Sequence, residues 1–187
     1  MNKPICINLF AGPGTGKSTT AAGVFSLLKM HDVNAELITE FAKDLTWEER
    51  YRTLHNQYYI WGKQNHKIWR VKSQVDVIIT DSPCLLSLIY GKDNPQCFND
   101  LILHSFNEGV INMNYFLIRM KPFNPKGRTQ NIDEAKIIDD KITSMLAEYS
   151  IGFEIINGNY EGINDIANQI LKMLDKEMKI WLCDLSI

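Results

Sequence analysis

A chain of 187 residues, 45% hydrophobic and 22% charged, has the material for one globular domain with a sizeable core. Its formal net charge of −2 supplies no global positive field, so any nucleic-acid contact has to come from a local groove. No segment approaches a membrane span, and no charged-then-apolar leader is expected at the amino terminus.

In chain order, Ile5–Phe10 is an apolar run of strand length that ends in a glycine-rich turn, and Lys17–Met30 follows with helical spacing. A second strand is predicted over Ala35–Thr39, then helices over Trp47–Leu54 and Asn56–Lys72, and a third strand over Val75–Thr80. A helix over Pro95–Glu108 precedes a fourth strand, Tyr115–Arg119. Asp133–Glu148 follows as a helix, with Ile132, Ala135, Ile138, Ile142 and Leu146 on one face. Phe153–Asn157 is the fifth strand and Gly162–Lys176 the last clear helix. The apolar tail 178–187 is expected to dock on the body.

Near-continuous apolar strands alternating with helices imply a parallel sheet covered on both faces. The expected fold is therefore α/β: a P-loop NTPase-type three-layer sandwich of five parallel strands, in a single domain spanning residues 1–187. Residues 120–132 hold two prolines, a glycine and three basic side chains between a strand and a helix, and are expected to form a mobile lid.

The strongest motif is Ala11-Gly12-Pro13-Gly14-Thr15-Gly16-Lys17-Ser18-Thr19, placed between a predicted strand and a predicted helix, as a phosphate-binding loop requires. Its backbone amides would converge on a triphosphate and the helix would add its positive end. Lys17 is expected at the β- and γ-phosphates and Ser18 on Mg²⁺, making Gly12 to Thr19 the ATP site. Ala11 stands where the pattern has glycine, which a small residue at negative φ satisfies. The buried strand ending at Asp81 supplies a second carboxylate for the metal. Position 82 is serine rather than a water-activating glutamate, and no N-K-x-D guanine selector occurs. Both absences favour transfer to an acceptor other than water.

On the acceptor side, Glu40 follows the second strand directly and is the first choice for the base that takes the hydroxyl proton, with Asp44 the second. Gln57, Trp61 and Gln64 share one stripe of a predicted helix and could read a nucleobase ring. Arg128 of the lid, with Lys121 and Lys126, would clamp charge on the transferring phosphoryl group; Arg119 ends the preceding strand. Asn157 begins a turn that would border the adenine. The cysteines, Cys6, Cys84, Cys97 and Cys183, form no C-x-x-C pair or zinc spacing, which suits free thiols in a reducing cytoplasm.

The segments AGPGTGKSTTA (11–21), ELITEFAKDLTWE (36–48), QYYIWGKQNH (57–66), VDVIITDSPCLL (75–86) and KGRTQNIDEAKIID (126–139) together resemble phage P-loop kinases acting on 5-hydroxymethyluracil in DNA. These belong to a broader group similar to thymidylate kinases and the nicotinamide riboside kinase domain. The resemblance spans roughly residues 4–165, and Lys17, Ser18 and Asp81 fall on its motif positions. It implies a reaction of ATP with 5-hydroxymethyl-deoxyuridine in DNA, a step in hypermodifying viral thymidines. A free nucleoside or nucleotide is the alternative acceptor, and a regulatory ATPase the third reading.

Overall fold

The computed structural model describes residues 3–91, 93–120 and 131–184, with side chains described as far as residue 174. Strands β1 (Ile5–Phe10), β2 (Ala35–Ile38), β3 (Val77–Thr80), β4 (Ile111–Ile118) and β5 (Glu154–Asn157) form one parallel sheet in the order β2-β3-β1-β4-β5. Helices α1 (Lys17–Met30), α2 (Phe41–Trp47), α3 (Tyr51–Leu54), α4 (Gln57–Trp69), α5 (Leu86–Tyr90), α6 (Gln96–Asn107), α7 (Ile132–Glu148) and α8 (Tyr160–Asp184) connect and follow the strands.

The two faces of β1 show why the sheet is sandwiched. Every residue of β1 is buried, and successive side chains point to opposite sides. Ile5, Ile7 and Leu9 pack with Ala21, Val24 and Leu28 of α1 and with Ile166 and Ile170 of α8. On the other side, Phe10 packs with Phe98 and Ile102 of α6 and with Ile142 and Leu146 of α7, while Cys6 meets Ile78 and, from α4, Ile68. Each large aliphatic side chain buried this way contributes about 1.5–3 kcal/mol, so the central strand alone anchors both helical layers. Asn8 is the polar exception at the middle of β1. Its Nδ2 donates to Asn112 Oδ1 at 2.9 Å and to Asn114 Oδ1 at 3.0 Å, so its burial is compensated.

The expected α/β three-layer architecture with five parallel strands is the observed one. Several elements differ in extent. β4 begins at Ile111, because register with β1 from Ile5↔Ile111 onward carries Asn112 and Asn114 into the ladder despite their low strand propensity. Instead of one helix over 47–54, α2 starts at Phe41 and a separate turn of helix, α3, follows Arg50. Glu49 between them takes φ +57°, which breaks the helix. α5 was not foreseen, being only five residues long. α8 continues to Asp184, through much of the stretch that was expected to dock as a tail. The expected lid, including Lys121, Lys126 and Arg128, lies almost wholly outside the described residues.

The three described cysteines divide by burial. Cys6 and Cys84 are buried, which pushes each thiol up to about 12, whereas Cys97 is exposed at the start of α6. Since the thiolate is the reactive form, a maleimide applied to native protein should modify Cys97 and leave Cys6 and Cys84 intact until denaturant is added. Peptide mapping after a short pulse checks this, and early labelling of Cys6 would contradict the burial of β1.

Candidate active site

Sheet register brings the motif residues to one edge. Ile38, Thr80 and Asn8 form a row across β2, β3 and β1, so Glu40, Asp81 and the loop after Phe10 all lie just beyond the carboxyl ends of neighbouring strands. The chain turns in opposite directions after β1 and β3. The crevice between their ends is thus the switch point at which doubly wound sheets bind ligands.

The loop 11–16 is held as a cradle by its own atoms. Gly14 and Gly16 adopt φ +79° and +108°, a region closed to most side-chain-bearing residues. Thr15 is buried and donates its hydroxyl to Gly12 O at 2.8 Å. α1 starts after Gly16 without a side-chain cap or an acid in its first turn, and its first intrahelical bond is Thr20 N–H to Gly16 O at 2.9 Å. The amides of Lys17, Ser18 and Thr19 precede that bond, and they and the helix dipole together suit an anion. Lys17 folds its ammonium back on the loop, donating to Ala11 O at 2.7 Å and Gly12 O at 3.3 Å. Burial holds its pKa below the usual lysine range, against the opposing pull of Glu40, Asp81 and Asp139. An ammonium placed among three carboxylates and carbonyl oxygens is ready to exchange them for phosphate oxygens.

Asp81 is 3% exposed, and its Oδ1 is buried with no hydrogen-bond partner among the described residues. A buried carboxylate oxygen left unpaired is costly unless a cation or ordered water meets it. Ser18 is exposed in the first turn of α1, and two oxygen donors, its hydroxyl and the Asp81 carboxylate, are the chemistry that suits Mg²⁺, an ion that takes few protein ligands and completes its shell with water and phosphate.

Glu40 caps the chain's entry into α2 without a side-chain capping bond. It is half-buried, and burial raises its pKa above the normal carboxylate value. Asp81 and Asp44 push in the same direction, while Lys17 and Lys43 oppose. Its backbone position is set by Gln64 of α4, which is 4% exposed. Gln64 Oε1 accepts from Phe41 N–H at 3.0 Å, and its Nε2 donates to Thr80 Oγ1 at 3.5 Å, an oxygen that also accepts from Ser82 N–H at 3.1 Å. One glutamine therefore ties the start of α2 to the strand end bearing Asp81.

That arrangement corrects the reading of Gln64 as a base reader: its amide is spent inside the protein. Trp61 of the same stripe is half-buried. Its ring packs edge-on against Phe98 with centroids 5.4 Å apart, and its Nε1 is buried with no partner among the described residues. Gln57 is turned back to donate to Leu54 O at 3.0 Å. Asp44 is exposed and lies 3.8 Å from Lys67 Nζ, and it is not among the charges acting on Lys17. Arg119 reaches the phosphate loop, donating to Pro13 O at 2.7 Å and pairing with Asp139 Oδ2 at 3.0 Å.

Asn157 ends β5, and the next residue fixes its loop against the cradle. Gly158 N–H donates to Ile118 O at 3.0 Å, and a Cβ at Gly158 would meet Thr15 O at 2.8 Å and Ile118 O at 2.9 Å. Both obstacles are backbone, so Gly158→Ala should cost about 1–3 kcal/mol through overpacking, with the loss falling on the nucleotide loop. Urea denaturation with and without ADP checks this; an unchanged midpoint would show that the two loops separate freely.

Two residues near the cradle were not singled out from the sequence. Asp139 of α7 meets Gly12 and Arg119, and Tyr90 at the end of α5 feels both Glu40 and Asp139. Tyr90 is 45% exposed, so it borders the cradle from the solvent side. Asp139 closes the segment 126–139 that carries part of the resemblance, but neither that nor its place two turns into a capped helix reveals its direction.

The fold and this cradle define a P-loop nucleotide-binding α/β protein. Residues 6–162 match the family model described as an AAA domain, and the chain belongs to that family. A search among curated proteins found no match. Among solved structures, the crystal structure of NadR protein in complex with NR is similar in fold, with TM-score 0.63 and 12% sequence identity over 88% of this chain and 51% of that one. The chain thus spans about half the length of that structure. No helix among the described residues is long and apolar enough to cross a membrane.

Proposed function

We propose that the chain is an ATP-dependent phosphotransferase that moves the γ-phosphoryl group to a hydroxyl of a nucleoside-like acceptor. Its sequence resemblance favours 5-hydroxymethyluracil in DNA as that acceptor, in a viral host's cytoplasm. The observation that carries the reading is the position of the half-buried Glu40, just beyond β2 on the same sheet edge as Asp81 and the phosphate loop. A carboxylate there can take the proton of an acceptor hydroxyl as its oxygen attacks the γ-phosphorus and ADP leaves. The loop amides and Lys17 hold the phosphoryl oxygens as charge spreads over them. Mg²⁺, held by Ser18 and Asp81, would neutralise charge on the β- and γ-phosphates. Residues 1–187 act in this reading as one domain, with Arg128 of the lid as the further cation and Asn157 at the adenine.

A free nucleoside or nucleotide is the second reading, and the disposition of α4 favours it. Lys67 donates back to Thr39 O at 3.0 Å, Lys63 lies 5.6 Å from the Tyr59 ring centroid, and Lys72 is packed beside Gly109 at the opposite end of the sheet. These cations do not make one open strip for a duplex.

Incubation with γ-labelled ATP separates the readings. The acceptor panel is 5-hydroxymethyluracil DNA, unmodified DNA, thymidine, thymidine monophosphate and nicotinamide riboside. Label on the hydroxymethylated DNA alone is the expected result. Label only on a small molecule replaces the acceptor, and release of labelled phosphate with no labelled product replaces the phosphotransferase by an ATPase.

A further inference from the structure

The first half of the phosphate loop is gripped from outside by a pair of charged residues far apart in sequence. Asp139 Oδ1 accepts the Gly12 amide in a short hydrogen bond, while Asp139 Oδ2 takes Arg119 Nη2 at 3.0 Å; Arg119 Nη1 in turn donates to Pro13 O at 2.7 Å. One carboxylate and one guanidinium thus hold the Ala11–Gly12 and Pro13–Gly14 peptide units. The contact is close: a Cβ on Gly12 would lie 2.4 Å from Ala135 O and 2.9 Å from Asp139 Oδ1. The ion pair is shielded, with side-chain exposures of 15% for Arg119 and 22% for Asp139, so solvent weakens it less than a surface pair. α7 presents Asp139 rigidly, because its start is fixed by a capping box in which Asn131 and Glu134 bond reciprocally.

We propose that Asp139 and Arg119 are positioning residues for nucleotide binding, which keep the cradle shaped when Lys17 leaves its carbonyls. In the structure, Lys17 bonds Ala11 O and Gly12 O. Moving its ammonium to phosphate oxygens removes that internal tie. Among the described residues, the remaining holds on Gly12 and Pro13 are the Thr15 hydroxyl and the Asp139–Arg119 pair. A loop kept in its bound shape loses less entropy on binding, so the pair acts on nucleotide affinity through preorganisation. This proposal rests on the ATP-binding reading of the same loop and adds two residues to it. It assigns Arg119 to the nucleotide rather than to the acceptor.

The test is binding of a fluorescent ADP analogue with Mg²⁺, competed by ATP, to the wild type, Asp139→Asn, Arg119→Gln and the double variant. Asparagine can still accept from Gly12 but turns a donor or a neutral oxygen towards Arg119. Each single variant should weaken binding about tenfold, and the double variant by about the same factor, because both act through one loop. At saturating ATP, turnover should stay within about threefold of wild type, since chemistry is left to Lys17, Glu40 and Asp81. Affinity within twofold of wild type in both single variants would overturn the proposal. So would multiplying effects in the double variant, or a loss of turnover that saturating ATP does not restore. Failure of the wild type itself to bind the analogue would instead remove the ATP reading. Should Asp139→Asn not fold, Arg119→Gln alone decides between an effect on nucleotide affinity and one on acceptor KM.

Discussion

Lys17→Ala should lower turnover by about 10²–10³-fold while the protein stays folded. The size follows from what the lysine does in phosphoryl transfer: there is little covalent chemistry for the protein to perform, so positioning and charge stabilisation supply the rate. The fold should survive because the ammonium bonds only two loop carbonyls, and its burial opposes its charge. Removing it takes away a cation whose charged form burial disfavours. Circular dichroism and denaturant midpoints should therefore match the wild type, or exceed it slightly, while labelled transfer collapses at every ATP concentration. Turnover that recovers fully at high ATP would mean that Lys17 binds the nucleotide without acting on the transition state.

The architecture was open to reading because it rests on local patterns. Apolar runs of strand length, helical periodicities and a glycine-rich turn between them suffice for a parallel sandwich, and Lys17, Ser18 and Asp81 are fixed to that frame by the strands they follow. The acceptor side was harder, because there the chemistry depends on where a side chain points between elements distant in sequence. Gln64 has the right residue type for a base reader, but the packing of α4 against β3 and α2 turns its amide to Phe41 and Thr80. Arg119 was expected to end its strand but follows it, β4 stopping at Ile118, and the pairing of β4 with β1 delivers its fork to Pro13. Asp139 belongs to a helix whose buried stripe was legible. That it meets Gly12 depends on how α7 lies over β1, which no periodicity contains. Trp61 shows the same limit, since a helical stripe of polar and aromatic residues is equally a core face until its neighbour, here Phe98, is known.

Glu40→Gln should depress turnover by about 10²–10⁴-fold with little change in ATP affinity, if its carboxylate takes the acceptor proton. The pH dependence gives a sharper check. Burial comes first among the causes that raise the Glu40 pKa; Asp81 and Asp44 add to it, and Lys17 and Lys43 act against it. The base must be deprotonated to work, so wild-type kcat/KM should rise with pH along a limb displaced above the ordinary carboxylate range, and the variant should lack that limb. Stability should move the other way. A carboxyl whose folded pKa lies above its unfolded value contributes stability that is complete below the unfolded pKa and lost as pH rises through the folded one. At neutral pH the wild type carries that penalty and the neutral glutamine does not. Glu40→Gln should therefore raise the thermal midpoint near pH 7, with the difference shrinking as the solution is acidified. A variant that is both less active and less stable at neutral pH would make Glu40 a structural residue of α2. One that loses only ATP affinity would place it among the groups that hold the metal and its nucleotide.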